Sequence, residues 1–170
     1  MFDTEISSEH NLVDDSTWRR IMSDVEAGKY DSSGAAPPCS SFAACREWDD
    51  DGPPPLRGEF EPDIFGFKTN TAEDKEACRI GTCLALRTFE VCKWMYEHDC
   101  PFWVETPRRR DGKPSVFKLP QAIDSAKMQG VFIWAFMQCM LEAITMKPTE
   151  FLALFFVCSD LPQTCVHPKR

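Results

Sequence analysis

Apolar residues recur at helical spacing in two stretches of the chain and gather into short continuous runs in three others. Trp18, Ile21, Met22 and Val25 share one helical face and predict a helix from Ser16 to Ala27, capped by Ser16 or Thr17 and ended by Gly28. Ala77, Ile80, Cys83, Leu84, Leu86, Phe89, Val91, Cys92, Trp94 and Met95 cover a broader face. They predict a long helix over roughly Ala72 to His98, opened by Thr69 or Thr71 and stopped at Cys100-Pro101; a face this wide packs on a sheet. Phe102-Trp103-Val104 reads as a short strand ending at Glu105, and Pro120 starts a short helix within Pro114 to Lys127. Gly130 to Gln138 reads as a buried strand with Phe151 to Val157 as its hairpin partner, although periodicity also allows a helix over Val131 to Thr145. The approach Ser32 to Ala36 is a poor strand, because β-branched residues are missing. Phe42 to Trp48 suits a helical turn, and Asp49 to Pro55 a loop. Leu56 to Thr71 reads as irregular, anchored by Phe60, Ile64, Phe65 and Phe67. The alternation of helices and strands predicts an α/β domain with a partly parallel sheet.

Composition narrows this picture. The chain has 170 residues, 43% apolar and 27% charged, enough for one domain with a core. We expect an acidic segment over 1–16, the domain over 17–158 and a tail over 159–170. A net charge of −8 argues against a protein that holds nucleic acid by bulk electrostatics, but leaves room for a local basic groove. Arg108, Arg109, Arg110 and Lys113 form the dense basic cluster; a solvated loop is the plain alternative. Nine cysteines, an odd number, with no secretory pattern in Met1 to Glu5, predict an intracellular protein that is not secreted and has no disulfide framework. Cys78, Cys83 and Cys92 suit small apolar positions of the long helix. Cys158, Cys165 and His167 match no common zinc spacing, so no metal is expected. No apolar run approaches the ~18 residues of a membrane span.

Two residues carry the chemistry that the chain suggests. Pro37 and Pro38 stiffen the backbone before Cys39. With a strand ending near Ala36, Cys39 lies where ligands bind in open α/β sheets, and a helix start near Ser40 or Ser41 favours thiolate. The alternative is an ordinary buried thiol. Glu105 follows three apolar residues, where a partly buried carboxyl can donate a hydrogen bond as a neutral acid; a surface glutamate, or one paired with Arg108 to Arg110, is the alternative. His10, His98 and His167 are not placed to activate Cys39 as in a thiol protease or phosphatase.

Pro37-Pro38-Cys39-Ser40-Ser41-Phe42 resembles the catalytic loop of cytosine carbon-5 DNA methyltransferases. Val104-Glu105-Thr106-Pro107 is similar to the Glu-Asn-Val element of that family, with threonine and proline in its last two places. The segment Gln138 to Val157, with Lys147-Pro148-Thr149 leading into an apolar strand, resembles its paired-strand hairpin, and Tyr30-Asp31 suits the approach to the loop. The resemblance covers roughly residues 18–158, the later half of a methyltransferase core, and similar forms occur in viral and mobile-element proteins.

The resemblance implies a partial Rossmann-like sheet with flanking helices, as in S-adenosylmethionine-dependent methyltransferases. It implies DNA as substrate, Cys39 as the nucleophile toward carbon 6 of a flipped cytosine, and Glu105 holding ring nitrogen 3 and the exocyclic amine. Pro37, Pro38, Ser40, Arg108, Arg109, Arg110 and Lys147 become the substrate-binding candidates, and S-adenosylmethionine the methyl donor. No Phe-x-Gly-x-Gly run stands before Cys39 to hold that donor, and no target-recognition segment follows residue 158. Three readings therefore stand. The chain is a truncated or divergent methyltransferase, with a second chain supplying the missing half. It is a noncatalytic module for nucleic acid or protein derived from that fold. Or it is an unrelated α/β domain with accidental motifs. An adenine-amino methyltransferase fits less well, since Ala36 precedes and Cys39 follows the proline pair.

Overall fold

The computed structural model describes residues 10–42, 53–138 and 147–155. Helix α1 (Asp15–Glu26) is capped by Asp14, whose Oδ1 accepts from the Ser16 and Thr17 amides at 3.0 and 2.8 Å. The cap thus lies just before the two residues expected to provide it, since an aspartate with extended backbone reaches both orphan amides. Ile21 and Val25 are buried as their spacing requires. Arg87 fastens α1 to the long helix by donating to the Leu12 carbonyl and the Asp15 carboxylate while lying over the Trp18 ring.

Strand β1 (Ser33–Ala35) is followed by the Pro37-Pro38-Cys39 loop and a 3₁₀ turn at Ser40–Phe42. A second 3₁₀ turn, Asp63–Phe65, precedes α2 (Ala72–Glu97), which Thr71 caps by accepting from the Asp74 amide. Strand β2 (Phe102–Pro107) leads through a 3₁₀ turn at Val116–Lys118 into α3 (Pro120–Ala126), then β3 (Val131–Met137) and β4 (Pro148–Leu154). The sheet order is β1-β2-β4-β3. Strand β2 runs parallel to β1, with α2 as the crossover, and β4 lies antiparallel between β2 and β3.

The register assigns the two faces. Phe102, Leu154 and Val131 share a level, as do Val104, Leu152 and Ile133; this face meets α2 and α3 through Phe89, Cys92, Met95, Phe117, Leu119 and Ala122. The opposite face carries Trp103, Glu105, Phe132, Trp134 and Phe151. There the Trp103 ring stacks on Phe151 with centroids 5.5 Å apart, and Phe136 meets Phe151 edge-on at 5.1 Å.

Several expectations change. Strand β1 forms despite its poor propensity because a Cβ at Gly34 would overlap the Trp103 indole; glycine lets the ring lie across the strand. Strand β4 begins at Pro148, three residues before the expected Phe151, because Thr149 and Glu150 are buried in the sheet, Glu150 against Arg109. For the same reason β2 continues past Glu105 to Pro107, with Thr106 buried opposite Glu150. Phe60 and Phe65 are exposed at 67% and 38%; the segment is anchored by Leu56, Arg57 and Ile64. Cys78 and Cys92 are buried as expected, whereas Cys83 is only half-buried. Burial raises the Cys92 thiol to about 12. Residues Ala43 to Trp48, the loop residues 49–52 and the metal candidates Cys158, Cys165 and His167 lie outside the described residues. Among the described residues no helix is long and apolar enough to cross a membrane, and no group of His, Cys, Asp or Glu is placed to hold a metal.

Candidate functional site

The parallel pairing of β1 with β2 brings the two chemical elements together. Ala35 is level with Val104, so β1 ends as β2 reaches Glu105, and β2 runs on to Pro107 paired only with β4. From there the chain turns through buried Pro37 and exposed Pro38 to half-buried Cys39, which borders a cleft with Phe42, Thr106, Pro107, Arg108, Ser115 and Val116. The Phe42 amide donates to the Cys39 carbonyl at 2.9 Å and closes the turn. Ser40 is exposed beside it. The cleft encloses about 20 Å³, the room of a single water. A larger hollow of about 680 Å³ lies at the other end of the sheet, bordered by Tyr96, Asp99 and Phe155, and contains no candidate residue.

Glu105 belongs to the opposite face of β2 from Thr106, because side chains alternate along a strand. Its side chain is 15% exposed. Oε1 accepts from Lys147 Nζ at 3.0 Å and from Gln138 Nε2 at 3.4 Å. Among the described residues Oε2 takes no partner. Gln138 and Lys147 continue the β3–β4 pairing one step beyond Met137 and Pro148, joined by the Gln138 amide donating to the Lys147 carbonyl at 3.1 Å. Glu105 is thus ion-paired, with Lys147 and not with Arg108 to Arg110; the hairpin supplies the lysine that a strand-by-strand reading leaves distant.

The basic cluster divides. Arg109 Nε donates to Glu150 Oε2 at 2.8 Å and is held as part of the sheet's end. Lys118, outside the expected cluster, donates to Glu59 at 2.5 Å and to the carbonyls of Arg110 and Lys113 at 2.8 Å each, tying the loop down. Arg108 and Arg110 are exposed, and Arg108 lines the Cys39 cleft. The structure thus joins Cys39 with Arg108, and Glu105 with Lys147, on the two sides of one strand end.

Two functional neighbours escaped the sequence reading. Gln138 ends an apolar run as Glu105 does, and that shared position was its signal. Arg57 has none: it lies in an irregular proline-rich stretch, yet it is 1% exposed beneath the Cys39 turn. Beside Cys39 the described residues leave no room for S-adenosylmethionine. The described residues show no glycine-rich turn between a strand and a helix at this end of the sheet, and the cleft beside Cys39 admits only a water-sized group.

The chain matches no protein-family model, no curated protein and no solved structure.

Proposed function

We propose that this chain is the base-capturing half of a cytosine carbon-5 DNA methyltransferase-like site. One observation supports the reading: the loop that carries Cys39 leaves β1 one residue beyond the level of Val104, beside the β2 segment that carries Glu105, with Lys147 of the succeeding hairpin on the glutamate. A cytosine flipped from the duplex would lie between them once the loop over 108–115 withdraws from the cleft. The Cys39 thiolate then forms a bond to carbon 6, and the electron pair of the 5,6 double bond moves to carbon 5. Glu105 accepts from the exocyclic amine, and Lys147, beside it, offsets the charge that develops on the ring. Carbon 5 takes a proton from water, and reversal expels the thiolate. The exposed Arg108 and Arg110 contact phosphate, which needs no sequence-specific geometry. The reading stops at base capture; a methyl donor would be held by another surface, such as a second chain.

The water-sized cleft favours a second reading, a noncatalytic module that binds nucleic acid without reacting. DNA carrying 5-azacytosine separates the two, because thiolate addition at its carbon 6, with a proton taken up at nitrogen 5, gives a stable adduct without any methyl donor. The expected result is an adduct of the native chain that is lost in Cys39→Ala at unchanged stability. DNA binding without adduct would establish the module instead.

A further inference from the structure

We propose that Arg57 is the positioning residue of the Cys39 loop, its buried guanidinium fastening Ser41 and Phe42 to helix α2 so that Cys39 faces the end of β2. The inference rests on the reading of Cys39 as nucleophile for its meaning, but not for its geometry. All five guanidinium hydrogens are used. Nε donates to Ser41 Oγ at 3.2 Å, and Nη2 to the same oxygen at 3.0 Å and to the Cys78 carbonyl at 2.6 Å. Nη1 donates to the Ile64 carbonyl at 2.7 Å and to Thr82 Oγ1 at 2.9 Å. The guanidinium carbon stands 3.8 Å from the centroid of the Phe42 ring. Three segments distant in sequence, the turn after Cys39, the turn at Asp63–Phe65 and helix α2, therefore converge on one side chain.

Every partner is neutral. A fully buried cation without a carboxylate is costly, and an apolar side chain of similar volume fills such a space more cheaply. What the guanidinium adds is direction: its rigid fork fixes Ser41 Oγ from two nitrogens at once. Helix α2 is shaped to admit it. A Cβ at Gly81 would come 2.7 Å from Ser41 Oγ and 3.2 Å from Arg57 Nη2, so glycine allows the turn to seat against the helix. The restraint reaches Cys39 through one bond, the Phe42 amide on the Cys39 carbonyl, and Phe42 also walls the cleft.

The test follows alkylation of individual cysteines by iodoacetamide, mapped by peptide mass, in the native chain, Arg57→Lys and Ser41→Ala. Cys100, half-buried at the opposite end of the sheet, is the internal reference. Lysine keeps the charge and loses the fork; Ser41→Ala keeps Arg57 and removes the grip on the turn. The expected result is a rise of about tenfold in labelling of Cys39 relative to Cys100 in both variants, the mark of a loop released locally. An unchanged ratio in folded variants, or Cys39 and Cys100 rising together, overturns the proposal; should Arg57→Lys fail to fold, Ser41→Ala decides. The ratio needs no DNA. A responsive ratio with no 5-azacytosine adduct in the native chain leaves the positioning role standing and sinks the base-capture reading. An adduct with an unresponsive ratio does the reverse.

Discussion

Arg57 and Lys147 are both cations held near the same end of the sheet, and they are held in opposite ways. Arg57 is buried, surrounded by neutral acceptors, with each of its donors engaged. Lys147 is 41% exposed and meets one carboxylate oxygen, Glu105 Oε1, which it shares with Gln138. A saturated group has nothing left to offer a ligand, so its work is to hold the fold. A partly exposed pair in which one carboxylate oxygen takes no partner among the described residues can exchange partners when a ligand arrives. The difference teaches that burial by itself is a poor guide to a site: the deepest charge here has every donor engaged, whereas the shallower one keeps exposed surface for a ligand.

The sharpest way to break this contrast is stability. Arg57→Ala strands Ser41 and Thr82 and opens a cavity, and is expected to cost about 3–5 kcal/mol in urea unfolding. A loss near zero would mean that the knot is not the anchor described. Glu105→Gln should cost less than about 1 kcal/mol, because its ion pair is partly solvated, while lowering adduct formation on 5-azacytosine DNA. If it destabilises the chain as severely as Arg57→Ala, the two regions are not different in kind.

The smallest effect is acid sensitivity of the tie between Lys118 and Glu59, which fixes the Arg108-to-Lys113 loop. The hydrogen bond from Lys118 holds the Glu59 carboxyl below its ordinary value. The folded chain therefore binds this proton less readily than the unfolded chain. The stabilisation is complete above the ordinary glutamate value and is lost as pH falls through the lowered one. Urea midpoints of the native chain and Glu59→Gln should differ near neutrality and converge once pH falls below the lowered Glu59 value. A Lys118-independent offset that persists in acid would show that the tie is not electrostatic. Arg57 is lowered too, by burial rather than by a partner, to about 10, and so stays charged throughout this range.

The long helix was legible because it has one dominant period and a stop signal at its end, and the short helix because Pro120 opens it; β3 was legible as an apolar run, but its periodicity also allowed a helix and its place at the sheet edge was not foreseen. Cys39 and Glu105 were legible as candidates because proline pairs and strand ends are local features. The extension of β4 to Pro148 was not, since Thr149 and Glu150 look solvent-facing until Arg109 arrives from the loop after β2 to pair with Glu150. Nor was the exposure of Phe60 and Phe65, which an apolar count cannot distinguish from burial.

Sequence alone determined which residues could react, where the helices run and that strands alternate with them, because propensity, capping and periodicity act over a few residues. Tertiary structure alone decided that Lys147 and Gln138 complete Glu105 on one face of β2, while Arg57 lies beneath the Cys39 turn that borders the other. Those contacts join residues 16 to 42 positions apart along the chain. Only parallel pairing through a crossover helix, and a hairpin folded back beside it, brings such distant groups within hydrogen-bonding reach.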